Sequence, residues 1–441
     1  MQMTAREAAL EALGRCRRDG AWSGAAIDAL IKKYALDPRD AALAARLCLG
    51  VLQNGSLCDY YVNLYYSRSA SGLEPKLRDI LRLGVYQLLF MDKIPARAAV
   101  NESVALCRAA GYGRASGLVN AVLRRVSENR DALPEIPGAG TAEHLSVKYS
   151  HPLWLVQRLL DERGYAFTEG FLAANNRPAG LTIQVNTLKV PVQDYVRALE
   201  RAEIEYRLFE DVPGCVELKG GNVTALPGYG EGLFYVQDRA ARMAVAAAGP
   251  RPGMAVLDAC AAPGGKSFAA AIAMENRGSI LACDIHGKKL RLIRSGGERL
   301  GIGIIDTRER DARAIDRELL DRFDLVLADV PCSGLGVIGK RPEIRNKPEA
   351  EITALPEIQR EILGNLASCV KPGGTLLYST CTVLKCENEE RVADFLKRDG
   401  RFEPEDFSIG ELRSENGMHT FWPHVDGTDG FFAVKLKRVR S

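Results

Sequence analysis

The segment Asp258-Ala259-Cys260-Ala261-Ala262-Pro263-Gly264-Gly265-Lys266 follows a short apolar run, Met254 to Leu257, and leads straight into helical residues. A strand that enters a glycine turn and then a helix commits a chain to a parallel α/β sheet, because the helix must carry the chain back before the next strand can pair. The rest of the C-terminal half keeps to that pattern. Ser279 to Cys283 and Phe323 to Ala328 are further apolar runs, each closed by an acidic residue and then by turn or helical residues. Thr375 to Tyr378 forms another strand and Gly430 to Leu436 a last one. From Gly232 onward the sequence predicts a parallel α/β sheet finished by an antiparallel hairpin.

At 441 residues the chain exceeds one ordinary hydrophobic core, so two or three domains are expected. Residues 4 to 128 carry only helical spacing, as in Ala8, Leu10, Leu13 and later Ile80, Leu81, Leu83, Leu88, Leu89. Asp37-Pro38 supplies a cap followed by a proline at the first helical position, and Ile94-Pro95 opens another helix in the same way. Two prolines and two glycines between Leu133 and Gly140 mark a linker. His144 to Asn175 reads as helix, Leu181 to Asn186 alternates as a strand, and a helix near Val192 to Ala202 precedes short strands near Tyr206 and Val216. The expected division is an all-α domain at 1–130, a small α+β domain at 141–231 and the α/β domain at 232–441.

With 46% hydrophobic and 26% charged residues the composition is that of a soluble globular protein. No run approaches the roughly 20 apolar residues that cross a bilayer, and the opening Met1-Gln2-Met3-Thr4-Ala5-Arg6-Glu7 lacks the apolar core of a signal peptide. A cytoplasmic location with no membrane partner is expected. Eleven cysteines without a framework or a C-x-x-C pair argue for reduced thiols and against disulfides or a bound metal. Cys48, Cys107 and Cys369 lie in apolar helical stretches and read as core residues. Residues 1–130 hold 19 basic against 12 acidic side chains, whereas the whole chain carries only +3, so the front is basic and the remainder acidic. A basic front is an electrostatic footprint for phosphates, and equally what a solvated helical surface would show.

The turn at Pro263-Gly264-Gly265-Lys266-Ser267 lets backbone approach a ligand where side chains would collide. A P-loop would need glycine where Cys260 stands, and the G-x-G-x-x-G dinucleotide fingerprint is absent. Asp284, at the end of the next strand, is placed to accept ribose hydroxyls, and Asp311, after the third strand, falls where an adenine edge would lie. Together they describe an adenosyl ligand. The expected cofactor contacts are Cys260, Ala261, Ala262, Pro263, Gly264, Gly265, Lys266, Asp284, Asp311 and Asp329. S-adenosylmethionine is favoured over NAD because the downstream residues are nucleophilic. Asp329-Val330-Pro331-Cys332 follows the fourth strand and Ser379-Thr380-Cys381 the fifth, which would place both thiols over one crevice at the carboxyl edge. A thiolate is a strong nucleophile near neutral pH and adds to C6 of a pyrimidine without a metal or an oxidant. The three motifs together point to methyl transfer onto cytosine carbon 5.

At these residues the chain resembles the RNA cytosine-5 methyltransferase family, from Gly232 to the end and including Asp429-Gly430-Phe431-Phe432. With its helical front it further resembles the bacterial Fmu/Sun type, to which Asn176-Arg177-Pro178 and Val185-Asn186-Thr187 also conform. Gln184 departs from the pattern, many relatives having arginine there. The resemblance implies a NusB-like first domain, a Rossmann-like class I methyltransferase domain at the end and small-subunit (16S) ribosomal RNA as partner. It also implies that Cys381 is the nucleophile and Cys332 assists release. Asp329 would hydrogen-bond the N3/N4 edge of the base, and Lys266 would orient Asp329 or the catalytic loop. Lys340 and Arg341 fit a phosphate-facing role. The target base must leave any stack to admit a thiol above its ring. Two other classes stay open: an RNA-binding module without catalysis, and a methyltransferase acting on a base nitrogen, for which Asn/Asp-Pro-Pro-aromatic would replace Pro331-Cys332.

Overall fold

The computed structural model describes residues 3–66, 69–178, 180–219 and 221–439; Met1 and Gln2 of the opening segment lie outside them. Two compact units result, one of residues 1–177 with 338–347, the other of residues 178–337 with 348–441. The helices at 142–174 group with the first unit, and the strands that follow group with the second.

The first unit is helical. Seven helices run between Ala5 and Glu128, and three more occupy Ala142–Tyr149, Leu153–Arg163 and Tyr165–Ala174. The apolar stripes of the first seven, among them Leu30, Leu47, Leu81, Leu83 and Leu123, meet in one core. Asp37 accepts from the amides of Arg39 and Asp40 with Pro38 as the first helical residue, as its sequence predicts. Pro95 instead occupies the cap position itself, and its helix begins at Ala96. Asp37 has a carboxylate to satisfy the first amides, whereas Pro95 has none to offer. Leu133 to Gly140 contains no regular element.

A ten-residue excursion completes this unit. The chain enters it at Ile338 and leaves after Lys347. Its Arg345 is buried, and its guanidinium donates to the carbonyls of Gln53 (2.8 Å), Tyr149 (2.7 Å), Ser150 (3.2 Å) and Asn175 (3.2 Å) and to Asn176 Oδ1 (2.7 Å). Burial pulls its pKa down to about 9. Ser23 Oγ donates to Glu343 at 2.6 Å, and the Arg341 guanidinium lies 4.4 Å from the Trp22 ring centre. Arg341, expected to face phosphate, lies over this ring and, like Lys340, is exposed.

The second unit contains two main sheets. Strands β1 (Leu181–Val185), β2 (Tyr206–Leu208), β3 (Cys215–Leu218) and β4 (Phe234–Val236) form an antiparallel sheet in the order β2-β3-β1-β4. The helix Val192–Arg201 contributes Tyr195 and Leu199 to its core beside Ile183, Val216 and Phe234. Gln184 is buried, its amide donating to the Gln237 carbonyl at 3.2 Å. Asn186 is buried too and donates to the carbonyls of Gly232 and Leu300.

The larger sheet begins with β5 (Ala255–Asp258), β6 (Ser279–Asp284), β7 (Ile305–Glu309), β8 (Phe323–Asp329) and β9 (Val370–Thr380), all pairing in parallel. Strand β10 (Phe402–Pro404), the small hairpin β11 (Ser408–Ile409) with β12 (Leu412–Arg413), β13 (Met418–Phe421) and β14 (Phe431–Arg438) follow. The large sheet runs β10-β14-β9-β8-β5-β6-β7, with β13 also on β14. β14 is antiparallel to β9, β10 and β13, which gives the antiparallel finish expected from the sequence. The alanine-rich helices Arg239–Ala248 and Gly265–Ala273 bury Ala244, Val245, Ala269, Ala270 and Ala271 against this sheet. Small side chains permit that close approach.

Candidate active site

The parallel order β9-β8-β5-β6 brings four strand ends to one edge; three carry residues the sequence singles out, Cys381 just after β9, Asp329 ending β8 and Asp284 ending β6, and the fourth carries Asp258, which ends β5. In the β8–β9 register Asp329 faces Ser379. Cys332 lies three residues past one of these partners and Cys381 two past the other, so both loops turn away from the same level. The Cys332 and Cys381 sulfurs are 3.2 Å apart, and the Cys381 amide donates to the Cys332 sulfur at 3.3 Å. The hydrogen bond with Cys381, then burial, hold the Cys332 thiol well above the usual thiol range, with the charges of Glu387 and Asp329 adding to the effect. Cys332 is therefore kept as a protonated thiol.

Lys266 Nζ lies 2.7 Å from Asp329 Oδ2, and Ser379 Oγ donates to Asp329 Oδ1 at 2.9 Å. The same ammonium stands 5.0 Å from the Phe431 ring centre. Burial works against the lysine charge, yet the adjacent Asp329 carboxylate outweighs it and lifts the Lys266 pKa above the ordinary lysine value. The lysine side chain is 11% exposed and the aspartate 31%, so the carboxylate is the member of the pair that a substrate can reach.

The glycine turn is held from three sides. Gly264 has φ +115°, and a Cβ there would come within 2.6 Å of the Phe268 ring, so only glycine fits. Asp284 Oδ2 accepts from the Ala262 amide (3.2 Å) and its Oδ1 from the His286 amide (2.9 Å). The buried Asp258 accepts from Ser267 Oγ at 2.6 Å through Oδ2, while its Oδ1 is buried without a partner. Burial pushes the Asp258 carboxyl up to about 7, the Ser267 bond opposing and Asp329 reinforcing. Cys260 is also driven upward by burial, which leaves it an inert thiol. Asp311 stands apart in its contacts: the Arg313 guanidinium donates to Oδ1 (3.1 Å) and Oδ2 (2.7 Å) and keeps its pKa low.

Beyond Cys332, the Gly336 amide donates to the Cys381 carbonyl (3.0 Å) and the Gly430 amide to the Gly336 carbonyl (2.8 Å). A Cβ on Gly336 would lie 1.9 Å from the Gly430 oxygen, and one on Gly430 would lie 2.6 Å from the Gly336 Cα. The glycine of Asp429-Gly430-Phe431-Phe432 is thus a backbone crossing point. Asp258 and the buried polar residues Ser333, Gln359, Thr382, Glu387 and Asn388 around the two thiols carry no site signal of their own in the sequence. Asp258 opens the glycine-turn segment Asp258–Lys266. For Glu387 the one sequence signal is its place six positions after Cys381.

Over 443 aligned residues the chain is 33% identical to the probable ribosomal RNA small subunit methyltransferase B of Bacillus subtilis, covering 98% of each chain. The chain belongs to the RsmB/F methyltransferase family. The profile described as 16S rRNA methyltransferase RsmB/F matches residues 245–437 of this RsmB/F member, that of the NusB family residues 3–128, and an RsmF/B-like ferredoxin-like domain residues 151–224. The Synechocystis protein of the same name is 34% identical over 99% of this chain and 100% of its own. The crystal structure of PH0851 superposes with a TM-score of 0.82 at 29% identity, covering 98% of both chains. A NusB domain, a ferredoxin-like middle and a Rossmann-like methyltransferase domain are therefore its architecture.

Proposed function

We propose that this chain transfers a methyl group from S-adenosylmethionine to carbon 5 of a cytosine in small-subunit (16S) ribosomal RNA, through a covalent bond between Cys381 and C6. The observation that carries the reading is the pair of sulfurs 3.2 Å apart beside the Lys266–Asp329 ion pair. A methyltransferase acting on a ring nitrogen has no use for two adjoining thiols. The likeness to ribosomal RNA small subunit methyltransferases supports this class of RNA.

The residues present fit the methyl donor. Asp258 Oδ1 is a buried acceptor awaiting a donor, which an α-ammonium group provides, and Asp284 ends the neighbouring strand. The turn Cys260 to Lys266 with Asp258, Asp284 and Asp311 would hold the cofactor. When bound, it supplies an electrophilic methyl on a sulfonium.

Cys381, as its thiolate, adds through Sγ to C6, and the C5–C6 π pair moves to C5; the methyl that C5 then bonds would come with cleavage of the donor's S–CH3 bond, whose electron pair would stay on sulfur. Asp329, fixed by Lys266 and Ser379, hydrogen-bonds the N3/N4 edge and offsets charge developing on the ring. Loss of the C5 proton then returns an electron pair to C5–C6 as the C6–S bond breaks and Cys381 leaves; Cys332 assists this release. Residues 1–130 and 141–231 hold surrounding RNA, and residues 232–441 perform the chemistry in the cytoplasm.

The test supplies 16S ribosomal RNA from cells lacking the gene with methyl-labelled S-adenosylmethionine, then analyses nucleosides by mass spectrometry. Labelled 5-methylcytidine should form with the native chain and not with Cys381→Ala. Label on any other nucleoside would refute the reading.

A further inference from the structure

Glu387 lies in the short 3-10 turn Lys385–Glu387, six residues after Cys381, and is fully buried. Its carboxylate accepts three hydrogen bonds: from the Ser333 amide (2.9 Å), from Ser333 Oγ (2.5 Å) and from Gln359 Nε2 (2.9 Å). Ser333 is the residue after Cys332. Gln359 Nε2 also donates to the carbonyl of Pro331, the residue before Cys332, at 3.0 Å. One carboxylate and one amide thus grip the Cys332 loop on both flanks.

The Cys381 loop is tied to the same place. Thr382 Oγ1 lies 2.7 Å from Ser333 Oγ, so hydroxyls on the neighbours of the two thiols touch. Asn388 Nδ2 donates to the Thr382 carbonyl (3.1 Å), and Thr380 Oγ1 donates to Asn388 Oδ1 (2.6 Å). Tyr378 Oη donates to the Glu387 carbonyl at 2.6 Å. Ser333, Gln359, Tyr378, Thr380, Thr382 and Asn388 are all buried, which makes each of these bonds costly to break.

We infer that Glu387 is a positioning residue that sets the separation of Cys332 and Cys381, and through it the passage from addition to release; this rests on the covalent reading above. A carboxylate suits the place because three donors converge on it. An amide has a single acceptor oxygen and would turn its own N–H groups towards donors. The spacing matters because a misplacement of about 1 Å at reacting atoms costs roughly a hundredfold in rate.

The experiment uses the full chain with Glu387→Gln and Glu387→Asp. Its first readout needs neither RNA nor cofactor: the rate at which diamide, taking up both thiol hydrogens, joins Cys332 to Cys381, followed by peptide mass spectrometry. The second is steady-state and single-turnover methylation. Glu387→Gln should slow diamide coupling about tenfold and single-turnover methylation about a hundredfold, with KM for both substrates within about twofold of native. Glu387→Asp, which keeps the charge, should recover part of both. Should Glu387→Gln not fold, Ser333→Ala removes only the hydroxyl bond and should show the same pattern, smaller in size. A folded Glu387→Gln with native diamide coupling overturns the inference, whatever its methylation rate. A native chain that couples its thiols rapidly but makes no 5-methylcytidine refutes the reaction assignment instead, and the diamide comparison still decides the positioning role.

Discussion

Asp329 and Ser379 stand opposite one another in the parallel register of β8 and β9, and the Ser379 hydroxyl donates to Asp329 Oδ1 at 2.9 Å. Lys266 takes the other oxygen, so the carboxylate plane is fixed between a strand partner and a helix residue. The same register sets the level at which the two thiol loops leave the sheet. Sheet pairing thereby delivers an oriented acceptor and two sulfurs to one place, before any ligand arrives.

The two thiols should give opposite phenotypes. Cys381→Ala should lower methylation by at least about a thousandfold, the scale of losing a nucleophile, and abolish any covalent RNA complex. Cys332→Ala should leave Cys381 attached to the methylated base. A denaturing gel should then show an RNA–protein adduct that depends on S-adenosylmethionine. Swapped phenotypes would exchange the two roles, and methylation by the double variant would end the covalent mechanism.

Asp258 should make the fold less stable as pH rises. Its folded pKa of about 7 lies above the ordinary value of 3.8, so between those pH values the folded chain holds a proton that the unfolded chain has lost. The contribution is fully present below pH 4 and lost as pH climbs through 7. Asp258→Asn removes the titration, and its stability relative to native should grow across that window by up to about 4 kcal/mol. Thermal melts from pH 4 to pH 8 measure it; parallel curves for the two chains would contradict the expectation.

Asp284 and Asp311 should differ in their effect on cofactor affinity. Asp284→Ala also frees the Ala262 and His286 amides, and should weaken S-adenosylmethionine binding about tenfold to a hundredfold. Asp311, already engaged by Arg313, should matter less. RNA affinity should stay nearly native in both variants. Calorimetry showing equal loss of RNA and cofactor affinity would sink the assignment of these carboxylates.

Deleting residues 1–130 takes Gln53, Trp22 and Ser23 from the excursion Ile338–Lys347. The remaining chain should still bind cofactor, lose RNA affinity and show a flatter salt dependence, because phosphate-neutralising cations are gone. Limited trypsin digestion should reveal a new cut after Arg345, since the Arg341–Pro342 bond resists trypsin. Persistent protection of Arg345 would show that Tyr149, Ser150, Asn175 and Asn176 hold the segment without the deleted helices.

The parallel sheet and its cysteine-bearing ends were legible because strand, turn and helix alternate locally, within windows of a dozen residues. Boundaries were blurred where backbone behaves unusually. The strand expected at Thr375 to Tyr378 begins instead at Val370, before Pro372-Gly373-Gly374, with a register shift opposite Phe323 and Leu325. Phe234–Val236, beyond the expected boundary at 231, pairs with β1. The buried polar residues were not legible at all. Glu387 meets Ser333 across 54 positions and Arg345 meets Gln53 across 292, separations at which no periodicity operates. A lone glutamate or arginine in a loop looks the same whether it is solvated or enclosed.

The Ile338–Lys347 excursion imposes an order on synthesis. The helices up to Ala174 emerge from the ribosome early and can collapse on Leu47, Leu81 and Leu123 while the rest of the chain is unmade. Their last partner, Arg345, is supplied only after β5 to β8 have been translated. Until then the carbonyls of Gln53, Tyr149, Ser150 and Asn175 lack its guanidinium. The first unit to begin folding is thus finished by a piece of chain made between two strands of the catalytic sheet.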